Sequence, residues 1–198
     1  VPDGASVTAG TRIAEVTAPT RLLLTAERTA LNLLCHLSGV ASSTRRWADA
    51  LEGTPATVRD TRKTTPGWRV LEKYAVRTGG GHNHRMGLYD GVLIKDNHID
   101  MAGSIRLAVE RVRRRWGRRY VVEVECRTLQ EAGQAIAAGA DVVMLDNMDD
   151  EEISECLGLR TGDVKFEISG NVDLETVRRI AGLGADFVSV GRITHSVT

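Results

Sequence analysis

Apolar positions along the chain follow two periods, and the switch between them predicts its elements. From Thr25 the segment TAERTALNLLCHLSGVASSTRRWADALEG places Ala30, Leu31, Leu33, Leu34, Leu37, Val40 and Ala41 near helical spacing. That predicts one long helix, or two meeting at Ser38-Gly39. Beyond it, Val-, Leu- and Ile-rich runs alternate with amphipathic stretches. TVRD (57–60) leads into GWRVLEKYAVRTG, DGVLIKD (90–96) into SIRLAVERVRRRW, and YVVEVE (120–125) into TLQEAGQAIAAG. ADVVMLD (140–146) precedes a short helix from Asp149, DVKFEIS (163–169) precedes DLETVRRIAGLG, and ADFVSVG (185–191) comes last. Glycines at 79, 139 and 182 or 184 fit helix ends that need a left-handed residue.

Apolar strands joined through helices require right-handed crossovers and a parallel sheet buried on both faces. A doubly wound sheet and a barrel both satisfy this. The barrel is favoured because nearly every strand ends in chemistry-bearing residues: Asp60 to Lys63, Lys95, Glu123 with Glu125, Asp146, Ser169 and Gly191. A barrel gathers all strand ends at one mouth. The expected class is therefore α/β, an irregular or open (β/α) barrel of six or seven parallel strands over residues 25–198. The opening PDGASVTAGTRIAEV reads as two short alternating segments with too few strands to stand alone. Residues 1–24 are expected to be the remnant of a small N-terminal sandwich domain, part of which lies outside this chain. AGAD (138–141) and GLGAD (182–186) repeat one turn chemistry.

Composition narrows the partners. Twenty-six Lys plus Arg balance twenty-six Asp plus Glu, so global charge points to neither nucleic acid nor membrane. The basic run RVRRRWGRR (111–119) sits late on a helix and has no accompanying reader motif. Three scattered cysteines, Cys35, Cys126 and Cys156, predict free thiols in a reducing compartment. With no basic leader and no apolar run long enough to cross a bilayer, the expected location is cytoplasmic.

The candidate chemistry is local. Arg62 and Lys63 follow a strand directly, a rigid fork beside a mobile point charge, suited to carboxylate or phosphate. HNHR (82–85) follows the triple glycine 79–81, which predicts close approach to a ligand or a moving loop. His84 and Arg85 could then meet a carboxylate. A zinc site from His82, His84 and His98 has poor spacing. Lys95 ends its strand facing the mouth. Glu123 and Glu125 share one strand face, and with Asp146 they could hold ribose hydroxyls, a divalent ion or developing positive charge. SGN (169–171), with a helix start near Asp173 and a second close approach at Gly191, predicts a phosphate nest. So many cations opposite a phosphate cradle imply two anionic substrates.

The motifs ERTALNLLCHLSGVAS, RDTRKTTPG, GGGHNHRMGLYDGVLIKDNHI, VEVE, MLDN, EISGN and SVGRITHS occur in one order that resembles the quinolinate phosphoribosyltransferase family. The resemblance implies transfer of phosphoribosyl from 5-phosphoribosyl 1-pyrophosphate to quinolinate. Mg2+ takes part, and nicotinate mononucleotide, pyrophosphate and CO2 are the products, on the de novo route to NAD. It implies at least a dimer, with Arg28 delivered to the neighbouring subunit's site. It assigns the pyridine diacid to Arg62, Lys63, His84, Arg85 and Lys95, with Thr61 among the substrate contacts. Glu123 and Asp146 are implied for ribose and metal, and Ser169, Gly170, Asn171 and Gly191 for the terminal phosphate. Lys63, Lys95, Glu123 and Asp146 are then expected to carry catalysis. The alternatives are a molybdenum-associated or nicotinate-using relative and a non-catalytic phosphosugar-binding protein.

Overall fold

A computed structural model describes residues 1–170 and 172–197. The long helical pattern is one helix, α1 (Thr20–Ala50), starting five residues earlier than its apolar spacing predicts. The remaining elements follow as β1 (Thr57–Arg59), α2 (Arg69–Thr78), β2 (Val92–Ile94), α3 (Asp96–Ala102), α4 (Ile105–Trp116) and β3 (Val122–Cys126). Then come α5 (Leu129–Ala137), β4 (Val142–Asp146), α6 (Asp150–Gly158), β5 (Lys165–Ser169), α7 (Val177–Ala181), β6 (Phe187–Ser189) and α8 (Arg192–His195). All six predicted strands form, as one parallel sheet in the order β1-β6-β5-β4-β3-β2. This is an open β/α barrel whose edges are β1 and β2. At the β1 edge a single bridge, Arg59 to His82, takes the place of a strand.

Alternation along each strand separates two environments. On one face Val122, Val124, Val143, Leu145, Phe166, Ile168 and Val188 are buried in the apolar core shared with the helices. On the other face Arg59, Glu123, Glu167 and Ser189 form a polar layer inside the barrel, where barrels of this type usually stack branched aliphatics. The repeated Gly-Ala-Asp turn has one structural meaning. Asp141 accepts the amide of Val122 at 2.7 Å, and Asp186 accepts that of Phe166 at 2.9 Å, each locking its strand start to a neighbour. Arg113, in the basic run, covers Asp141 at 2.8 Å, so this charge is structural.

Three expectations change. Among residues 1–19 no strand forms; that segment is extended and exposed, because an isolated strand has no partner for its backbone groups. Gly139 and Gly184 hold the expected left-handed conformation, at φ 83 and 115, but at the end of α2 it is Gly80, at φ 92, rather than Gly79. The triple glycine serves packing rather than a ligand or a moving loop. A Cβ at Gly79 would lie 2.4 Å from the Ala41 carbonyl oxygen, and one at Gly81 would lie 2.7 Å from Thr44 Cγ2. Gly79→Ala is expected to lower unfolding free energy by about 1–3 kcal/mol, the usual effect of overpacking; urea unfolding midpoints measure it. The amino-terminal half of α1 leaves Leu22, Leu24, Leu31 and Leu34 uncovered, at 57%, 71%, 40% and 44% exposure. No helix among the described residues is long and apolar enough to cross a membrane.

Candidate active site

The carboxyl ends of the strands open onto two cavities that share Thr61, Lys63, Lys95, Glu125, Ser169 and Ser189. The smaller, about 200 Å3, is also lined by Arg62, His84, Arg85, Leu93 and Met144. The larger, about 500 Å3, is also lined by Asp146, Asn147, Gly170, Gly191, Arg192 and His195. The four cations Arg62, Lys63, Arg85 and Lys95 and the imidazole of His84, from three separate sequence segments, thus line one small chamber. Arg28 lies exposed on α1 and lines neither cavity.

The loop after β1 is tied down at several points, which fixes the backbone that carries Arg62 and Lys63. Thr61 Oγ1 accepts the Lys63 amide at 3.0 Å, and Thr194 Oγ1 donates to the Lys63 carbonyl at 2.8 Å. Arg69 donates to Thr64 Oγ1 and the Arg62 carbonyl, while Glu72 accepts the Thr65 amide at 3.0 Å. The second cationic loop is held by Asp60, fully buried, which accepts the His84 amide at 2.7 Å, Asn83 Nδ2 at 2.8 Å and Lys73 Nζ at 2.5 Å. Burial pushes the Asp60 carboxyl above its usual value and the Lys73 ammonium below, against the pull of their contact.

His84 has both ring nitrogens engaged. Nδ1 accepts the Arg85 amide at 2.8 Å, so Nε2 carries the proton that it shares with Glu123 Oε2 at 2.7 Å. Burial, followed by the like charge of Arg62, lowers the pKa of Arg85. Two guanidiniums held that close call for an anion between them. Lys95 directly follows β2 and pairs with Glu125, and its amide donates to His98 Nδ1 at 2.9 Å, which removes that histidine nitrogen from metal binding.

Glu123 and Asp146, expected to act together, line different cavities. Glu123 sits one layer deeper in the barrel and opens to a third cavity of about 400 Å3 at the β1/β2 seam. The two-residue strand period puts Glu125, not Glu123, at the mouth beside Asp146 and Lys95. Beneath the mouth, Arg59 Nη1 pairs with Glu167 Oε2 at 2.6 Å, and Ser189 Oγ also donates to Glu167. Burial first, then the neighbouring Glu123, pushes the Glu167 carboxyl up to about 7. His84, Glu123 and Glu167 present ligand atoms within 4.8 Å of one another, and Glu123 Oε1 is buried without a partner. The group is compatible with a divalent cation; His82 and His98 are not part of it.

On the phosphate side, Ser169, Gly170 and Gly191 line the larger cavity, while Asn171 lies outside the described residues. The helix start near Asp173 is not a free donor set. Asp173 Oδ1 already accepts the amides of Glu175 and Thr176, at 3.0 and 2.8 Å. Positive charge comes instead from Lys63, with Arg192 and the imidazole of His195 beside it. The last two escape a sequence reading that stops at Gly191, although RITH follows that glycine directly.

Residues 1–38 match the family described as Quinolinate phosphoribosyl transferase, N-terminal domain, and residues 40–198 its C-terminal domain. The chain is 45% identical over 200 residues to the carboxylating nicotinate-nucleotide pyrophosphorylase of Mycobacterium leprae, covering 100% of this chain and 70% of that protein. It is 40% identical over 201 residues to the enzyme of the same name from Homo sapiens, covering 99% and 68%. The crystal structure of NadC from Streptococcus pyogenes matches it with a TM-score of 0.94 at 47% identity, over 100% of this chain and 69% of that one.

Proposed function

The chain belongs to the quinolinate phosphoribosyltransferase family, and on that premise we propose that its two cavities hold the two anionic substrates of carboxylating nicotinate-nucleotide pyrophosphorylase chemistry. The observation that carries the reading is the convergence of Arg62, Lys63, His84, Arg85 and Lys95 on one chamber of about 200 Å3 that shares Lys63, Lys95 and Glu125 with its larger neighbour.

Quinolinate lies in the smaller chamber, its two carboxylates toward Arg62, Lys63, Arg85 and Lys95. His84 forms part of the wall and orients Arg85 through its Nδ1. The phosphoribosyl donor lies in the larger cavity, its terminal phosphate toward Ser169, Gly170, Gly191, Arg192 and His195. Its ribose faces Asp146 and Glu125. Mg2+ fits this open side better than the deeper group, because it keeps several waters and takes one or two carboxylates plus substrate phosphate. The deeper Glu167 is already paired with Arg59. Glu125 and Asp146 would hold the ion, which supplies charge neutralisation for the departing pyrophosphate.

Confining the ring nitrogen beside the ribose C1 removes much of the entropic barrier. The nitrogen lone pair forms the N–C1 bond as the C1–O bond to pyrophosphate breaks, and the Glu125 carboxylate faces the positive charge that develops on C1. The 2-carboxylate then leaves as CO2. Its bonding electrons stay at C2, stabilised by the quaternised nitrogen, until C2 takes a proton. One protomer lends Arg28 to the site of its partner; the uncovered leucines on the same half of α1 support a subunit contact there. With quinolinate labelled in the 2-carboxylate, the donor and Mg2+, the intact enzyme is expected to release pyrophosphate and labelled CO2 in equal amounts. Chelation of the ion abolishes both. Equal turnover of nicotinate, which carries one carboxylate, would overturn the diacid assignment.

A further inference from the structure

We propose that Glu72 and Lys73, consecutive charges buried on α2, are positioning residues that hold the two cation-bearing loops in fixed relation to each other. The inference rests on the ring-diacid site proposed above. Both residues are buried, at 0% and 1% exposure, and neither lines the cavities assigned to the substrates. Lys73 reaches only the seam cavity. Two adjacent charges inside a helix packing face are costly unless each is fully paired, and an apolar pair would fill the same space at no such cost.

Their partners explain the choice. Successive helix residues point about 100° apart, so one helix can address two loops. Glu72 Oε2 accepts the Thr65 amide at 3.0 Å, two residues past Lys63, and Oε1 takes His36 Nε2 of α1 at 2.8 Å. Lys73 Nζ donates to the His84 carbonyl at 2.9 Å and to Asp60 Oδ1 at 2.5 Å, and that same Oδ1 accepts the His84 amide at 2.7 Å. The peptide groups on either side of His84 are therefore gripped from both directions. Asn83 closes the ring, donating to Asp60 Oδ2 at 2.8 Å and to the Lys73 carbonyl at 2.9 Å. One rigid helix thus sets the spacing of Arg62 and Lys63 from Arg85. Of the groups lining the cavity assigned to the phosphoribosyl donor, Lys63 lies on the loop held by Glu72, while Gly170, Gly191 and Arg192 hang from other elements.

Steady-state kinetics on the intact enzyme test this with Lys73→Met, Glu72→Leu, Glu72→Gln and Asn83→Ala. A displacement on the order of 1 Å in positioning groups alters rates by up to about a hundredfold. For Lys73→Met, whose partners are Asp60 and His84, we expect KM for quinolinate to rise by about tenfold or more, with KM for the phosphoribosyl donor nearly unchanged. For Glu72→Leu, which also frees the loop of Lys63, the quinolinate KM is expected to rise by more than the donor KM. Glu72→Gln, which keeps the acceptor for the Thr65 amide, restores most of the quinolinate KM. Hydrogen exchange, which needs no substrate, is expected to show lost protection at the Thr65 and His84 amides while the sheet stays protected. A parallel rise in both KM values, or unchanged protection at both amides, overturns the proposal. Should Lys73→Met fail to fold, Asn83→Ala and the Glu72 pair decide it by the same readouts. If the wild-type enzyme turns over no quinolinate, the substrate assignment falls and the exchange measurement still decides the positioning.

Discussion

Replacing Lys95 by alanine is expected to lower kcat by about 10²–10³-fold, the usual effect of deleting one preorganised charged donor from a reacting site, with little change in melting temperature. Lys95 lines both cavities, which on the proposed placement of the substrates is where ring and ribose meet. Its side chain is 44% exposed and paired with Glu125, itself at the mouth. Glu125 is only 10% exposed, so the pair is open to water on the Lys95 side alone, and its loss is expected to cost on the order of 1 kcal/mol. Loss of the ammonium also leaves the Glu125 carboxylate without its partner beside two anionic substrates. Arginine does not substitute, because a planar fork cannot replace a compact ammonium between a carboxylate and a ligand. Kinetics beside a thermal melt check this; near-normal turnover would remove Lys95 from the reaction.

Arg59→Ala is the counterpart, with its effect on stability. The guanidinium lies 3.5 Å above the Phe187 ring and holds Glu167, which is fully buried next to Glu123. Removing one partner of a buried pair costs about 3–5 kcal/mol, because the other charge remains without compensation. The loss depends on pH with a definite sign. The Glu167 carboxyl rises from an ordinary 4.5 to about 7 in the folded protein, chiefly through burial. Between those values the native state binds a proton that the unfolded chain does not. The stability it contributes is fully present below about 4.5 and is lost as pH rises through about 7. Without Arg59 the pKa climbs further, so the variant is expected to suffer more at about pH 8 than at about pH 5. Urea midpoints at the two pH values measure this; equal losses would show that the Glu167 charge is not the cause.

The strands were readable because one face of each carries Val, Leu, Ile or Phe at every second position, as Val143 and Leu145 do in VVMLD and Phe166 and Ile168 in FEIS. The cationic chamber was readable for a related reason: cations directly after such runs have only the mouth to face. Layer depth was not. The alternation of Glu123 and Glu125 fixes their common face, while the tilt and stagger of the barrel decide which of them reaches the substrates. Glu72 and Lys73 were hidden for the opposite reason. In VLEKYAV they look like an ordinary solvated helix face, and only tertiary contacts with Thr65, Asp60 and His84 reveal their burial. The glycines at 79–81 misled because a missing side chain gives the same signal whether a ligand or another helix occupies the space.

At the β1/β2 opening, His82 donates to the Val58 carbonyl and accepts the Asp60 amide, at 2.8 and 3.1 Å, as a neighbouring strand would. The segment to which we assign quinolinate binding is therefore also the plug on a hydrogen-bonding margin that could otherwise recruit a foreign polypeptide. Changes tolerated here by evolution or design must answer to both duties, so altering specificity through this stretch risks self-association before it yields a new substrate.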